Sequence, residues 1–178
     1  VGSGIEGAGE VGGLIGYIFS DTTVYDATAT GDVSGTNDVG GLVGLQRKSK
    51  IAKSSASGSV VGTAAFSQAG GLVGSSFNNT TIQNSSASGS VSGSEAIGGL
   101  IGEAESTTTV RHTYATGSVN GNDSVGGLVG LNTGTVATSF ATGQVSGTTN
   151  VSGFIGRNTD ADGQGSVSDS YWDTDATG

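Results

Sequence analysis

Short aliphatic stretches broken by glycine recur along the chain at a nearly constant interval, and the polar residues between them recur with it. Copies of Val-Gly-Gly-Leu-Val-Gly begin at Val11, Val39, Ala69, Ile97, Val125 and Val151, giving periods of 28, 30, 28, 28 and 26 residues. Periods of this length belong to arrays, in which each unit is one supersecondary element that buries its apolar face only against its neighbours. In the fourth unit, Ile97-Gly-Gly-Leu-Ile-Gly102 is followed by a polar stretch to Thr109, then by Val110-Arg-His-Thr-Tyr-Ala-Thr-Gly117 and Ser118-Val-Asn-Gly121. Three short apolar segments separated by Gly, Asn, Asp and Ser predict three strands per unit. A helical apolar period persists nowhere, so no helix is predicted.

Alternation along the second segment places Ala29, Ala56, Ala87, Ala115 and Ala141 on one face, together with the small residues Ala27, Ser54, Ser85, Thr113 and Ser139. That face points inward, where the wall comes close to the core. Its neighbours point out: Thr28 and Thr30, Ser55 and Ser57, Ser86 and Ser88, Tyr114 and Thr116, Phe140 and Thr142. In the third segment Val33, Val60, Val91, Val119 and Val145 point in. The first segment resists the same treatment, because Val11 and Ile15 fall on one face and Leu14 on the other. Two explanations fit Leu14 and its counterparts Leu42, Leu72, Leu100, Leu128 and Phe154. Either the Gly-Gly pair makes a corner that turns both aliphatics inward, or the strand is buried on both faces under a loop or another molecule, the row then marking a hydrophobic association stripe. The corner is the favoured one.

The expected object is an all-β parallel β-solenoid of about six coils, with right-handed crossovers. Strands stacked about 4.8 Å apart make such a rod about 30 Å long. Residues 1–178 form one domain, with residues 1–10 as a partial repeat and 157–178 as a closing segment. The chain opens in mid-pattern at Val1, which predicts a mature or excised piece of something longer.

Composition sharpens this. Val, Ile, Leu and Phe make up only 38 of 178 residues, near the level at which disorder is expected. Of the 35 glycines, 27 fall at the same five places in successive repeats, a register that a flexible linker would not keep. No Cys occurs, so either redox compartment is allowed, and no apolar run is long enough for a membrane helix. A formal net charge of −9 argues against nucleic acid as a partner. Four of the six basic residues nevertheless crowd together as Arg47, Lys48, Lys50 and Lys53. They are either a solvated loop or a contact for an acidic partner, such as the acidic end of a neighbouring copy.

The recurrent Gly-Leu-Val-Gly, the Tyr-Ala-Thr-Gly-like segment and Val-Ser-Gly together resemble the GLUG repeat. Here it is carried by residues 13–16, 41–44, 71–74, 99–102 and 127–130, and by 153–156 with Phe in place of Leu. The terminal Asp169-Ser-Tyr-Trp-Asp-Thr-Asp175 is similar to a segment that often closes such arrays. GLUG repeats occur in large secreted or surface-bound bacterial proteins, including adhesin-like proteins and segments of immunoglobulin A peptidases in which the repeat is not the catalytic part. The resemblance implies an extracellular or cell-surface module that acts as an adhesive, spacer or filament-forming rod, through self-association or continuation into a longer array.

Candidate chemistry is sparse. The single histidine, His112, holds a position filled elsewhere by Asp26, Lys53, Asn84, Thr138 and Asp169, and reads as a solvated corner residue rather than a base. Glu103 and Glu105 are neighbours in a polar loop and read as solubilising, although a carboxylate pair is what a polysaccharide-acting β-helix enzyme would need. Asp160 and Asp162 open a glycine-bearing stretch like the start of a calcium loop, but the bidentate acid that would close it is replaced by Tyr171. An Asp/Gly turn is the default there, and otherwise no cofactor is expected. The outward rows offer two ligand faces: Thr28, Thr30, Thr116 and Thr142 for ordered water, as in ice binding, and Tyr114 and Phe140, followed by Tyr171, for stacking on a glycan. An aromatic ladder that only stabilises the wall is expected before a glycan strip.

Overall fold

Each repeat makes one turn of a coil, and every strand of a turn lies parallel to its counterpart in the next. A computed structural model describes residues 4–159 and 165–176. In it five six-stranded parallel sheets, here called walls A to E in chain order, run along the molecule. The fourth rung shows the sequence of walls: Val91–Ser92, Glu95–Gly98, Ile101–Ala104, Thr108–Arg111 and Tyr114–Ala115. Register holds like against like. Val43 pairs with Val73, Val73 with Ile101, and Ile101 with Val129 in wall C. The first strand, Ile5–Gly7, pairs with Val33–Gly35, and the last, Tyr171–Trp172, with Phe140–Ala141. Both end segments thus supply strands to the outermost rungs. Among the described residues no helix is long and apolar enough to cross a membrane.

The three strands expected per coil are five, because two of the three apolar segments bend. In the second segment one residue per rung enters the left-handed region: Asp26, Lys53, Asn84, His112, Thr138 and Asp169 have φ between 48° and 55°. A single left-handed residue ends one strand and aims the next in a new direction. In the first segment the bend falls at Gly-Gly-Leu. A Cβ on Gly98 would lie 1.9 Å from the Ile101 carbonyl oxygen, and one on Gly99 would lie 2.1 Å from that of Gly127. Backbone therefore packs on backbone, at a separation only glycine permits.

This glycine seam divides the interior in two. Val11, Val39, Ala69, Ile97 and Val125 from wall B pack with Val33, Val60, Val91, Val119 and Val145 from wall A. A second, larger core is filled by Leu42 and Val43 with their counterparts, by Ile51, Ile82, Val110 and Val136 of wall D, and by the alanines of wall E. The leading aliphatic of the first segment thus serves one core, while the leucine and the aliphatic after it, which alternation placed on opposite faces, both serve the other.

The association stripe is corrected accordingly. Leu42, Leu72, Leu100 and Leu128 are fully buried and Phe154 is 5% exposed, because the corner turns them into the rod. Leu14 is 53% exposed, since its first-rung position is covered from one side only. Most buried polar residues are reconciled with the core by hydrogen bonds within and between rungs. Ser76 Oγ lies 2.7 Å from Thr80 Oγ1, Thr80 Oγ1 donates to Thr108 Oγ1 at 3.0 Å, and the Asn132 amide donates to Asn158 Oδ1 at 2.7 Å.

Candidate functional site

With the interior filled by repeated packing, chemistry is left to the outer faces. On wall E the alternation puts Thr28, Thr30, Thr116 and Thr142 in solvent over buried alanines. Thr28 Oγ1 lies 3.3 Å from Ser55 Oγ, so part of the hydroxyl row satisfies itself along the rod. Lower on the same wall Tyr114 and Phe140 stack at 5.1 Å with an interplanar angle of 6°, and Phe140 and Tyr171 at 5.4 Å and 5°. These spacings are close to the distance between rungs, so the ring faces look along the rod and cover one another. Although Tyr114 is 41% and Tyr171 62% exposed, what they present sideways is ring edge. Stacking on a sugar uses a face, so the geometry is that of a stabilising ladder.

The basic residues do not act as one patch. Arg47, at the end of the strand Val43–Arg47, lies between two rings, with its guanidinium carbon 5.5 Å from the centre of Phe19 and 5.3 Å from that of Phe77. Lys53 sits at a left-handed corner with its ammonium 5.1 Å from the Tyr25 ring centre. Such cation–π pairs hold both charges against the wall. Lys48 and Lys50 instead line an open cleft of about 270 Å³ at the corner of walls C and D, together with Asp21, Thr23, Asn79 and Thr81. Lys50 is in register with Thr23 on one side and Thr81 on the other. Alternation alone did not find these four neighbours, because they come from the two rungs on either side of the lysines. The signal available in the sequence was Lys50 standing where successive repeats carry threonine.

The carboxylates meet on another side. Glu103 lies on the strand Ile101–Ala104, not in the polar loop expected for it, and Glu105 follows that strand. Burial pushes the Glu103 carboxyl above its ordinary pKa, the charges of Glu105, Asp38 and Glu95 push it further, and Arg157 draws it back. Asp38, 9% exposed, is likewise raised by burial. The hydroxyl of Ser75, which donates to Asp38 Oδ1, opposes that rise, and the charge of Glu10 adds to it. Sequence reasoning missed Asp38, whose partner is 37 residues away. Among the described residues no group of three or more potential ligands converges as a metal centre. The calcium-like stretch with Asp160 and Asp162 lies outside the described residues. His112 is an exposed corner residue.

Comparison with known proteins agrees with the geometry. The family model described as "The GLUG motif" matches residues 7–34, 67–92 and 93–120. The last two units abut after Ser92, one full rung apart. Halomucin of Haloquadratum walsbyi (strain DSM 16790 / HBSQ001) is 41% identical over an alignment of 93 residues that covers 48% of this chain and 1% of that protein. The chain therefore spans about one hundredth of that relative's length. No solved structure matches the chain. Three units match the motif and every rung repeats their register: the chain is a parallel β-solenoid in which three of the repeats are similar to the GLUG motif.

Proposed function

We propose that this chain is a rigid, non-enzymatic rod segment of a secreted or cell-surface protein, acting as a spacer or adhesive module. The observation that carries this reading is the unbroken register of five walls through six rungs, which yields length, stiffness and repeated lateral faces rather than one converging centre. Similarity to Halomucin, a mucin by its name, supports placement outside the cell. Protease treatment of intact cells tests the location: loss of the chain from the cell surface is expected, and protection until lysis would overturn it. Incubation with a panel of polysaccharides should release no reducing or unsaturated ends, and any such release removes the non-enzymatic reading.

Leu14 favours a second, compatible reading in which rods associate end to end. Its exposed side chain occupies the place where each inner rung buries a leucine, so a further rung or a second copy seated there would cover it. Light scattering should show growth in mass with concentration that Leu14→Glu suppresses. A strictly monomeric chain at high concentration overturns this reading.

A further inference from the structure

We infer that the cleft at the corner of walls C and D binds an acidic sugar residue of a glycan. The first support is an inventory of cations. Arg47 is held between Phe19 and Phe77, Lys53 lies over Tyr25, Arg111 donates to Gln83 Oε1, and Arg157 acts on Glu103. Among the described residues Lys48 and Lys50 have no ion pair, side-chain hydrogen bond or ring contact, and both line this cleft.

Neither lysine is explained by the fold. Lys48 has φ of 45°, and the same corner in the adjacent rungs is filled by Ser20, Asp21, Asn78 and Asn79, mostly the types that tolerate the left-handed region. Lys50 interrupts the outward row Thr23, Thr81, Thr109 and Thr135, where a β-branched residue suits the strand. Each lysine departs from the residue its position favours, and each departure places an ammonium group at the same cleft.

The other groups of the cleft define the ligand. Thr23 and Thr81 offer hydroxyls, Asn79 an amide and Asp21 a carboxylate, a set that matches the paired donors and acceptors of a sugar ring. Asp21 would repel a bare inorganic anion but accepts hydrogen bonds from sugar hydroxyls, while the lysines take a carboxylate or sulfate substituent. The chain's net charge of −9 disfavours a dense polyanion. At physiological ionic strength, charges beyond about 8 Å are screened, so one acidic residue in an otherwise neutral glycan suits the site best. A rod lacking this cleft would still serve as a spacer, so the site stands apart from that reading.

The test is an array of uronate-bearing, sialylated and sulfated oligosaccharides beside their neutral parents, probed with the full chain and followed by calorimetry on the glycans retained. Lys48→Asn combined with Lys50→Thr restores the residues these positions favour and preserves the fold, which circular dichroism verifies. The double variant should lose affinity about tenfold or more, as expected when a charge-assisted hydrogen bond is removed, whereas Lys53→Asn should not. Any of four results overturns the proposal: no acidic glycan retained, equal binding of the neutral parents, equal affinity for inorganic sulfate, or full affinity in the double variant.

Discussion

Single residues set the shape of the coil through two kinds of backbone exception. The glycine seam is one. A side chain at Gly98 meets the backbone of Ile101 at 1.9 Å and that of Gly130 at 2.7 Å, and backbone cannot move aside as a flexible side chain can. Gly98→Ala should cost about 3 kcal/mol or more, whereas Gly31→Ala, with nothing within 4 Å of its Cβ, should gain about 0.4–1 kcal/mol by restricting the unfolded chain. Denaturant midpoints of the two variants check the contrast. The left-handed corner is the other exception. Thr138, exposed and β-branched, has φ of 50° where Asn84 occupies the same corner two rungs earlier. Thr138→Asn should therefore stabilise by about 1 kcal/mol, read as a higher melting temperature.

At the scale of the strand and its wall, burial depends on having a neighbour on both sides. Leu100 and Leu14 hold the same place in their repeats, yet one is fully buried and the other half exposed. Leu100→Ala should cost about 2–5 kcal/mol, and Leu14→Ala a small fraction of that, by equilibrium unfolding. Walls B and C also bring like charges together. Because Asp38 and Glu103 hold their protons more tightly in the folded chain than in the unfolded one, the folded state binds more protons just above the ordinary carboxylate range. Stability therefore falls as pH rises through that window. The melting temperature should be higher near the top of the ordinary carboxylate range than at neutral pH, and Asp38→Asn should raise it at neutral pH and flatten the profile. A wild-type melting temperature that climbs toward neutrality would contradict the account.

Over the whole molecule, stability is the sum of rungs and of the contacts between neighbouring rungs. Removing residues 93–120, one matched unit, joins Ser92 to Gly121 in the place of Asn120. The shortened rod should keep its β-sheet dichroism and lose only part of its thermal stability, whereas deleting half of that unit should abolish folding. The spacing that makes this excision possible is legible along the chain, as are the inward valines and alanines and the outward Thr, Tyr and Phe of wall E, because each follows from a period within one segment. The division of the first segment between two cores was not legible. Val39 and Leu42 are three residues apart, and only the close approach of Gly40, Gly41 and the next rung's backbone sends them into separate interiors. The corner cleft and the raised carboxyl of Asp38 were hidden for a related reason. Lys50 meets Thr23 and Thr81, and Asp38 meets Ser75, across 27 to 37 residues of chain. Repetition in the amino-acid order thus dictates a parallel stack, since identical units bury their apolar faces best against one another. Which side chains face each other across the stack is decided by where the chain bends within each rung, and that depends on contacts between rungs that no single repeat contains.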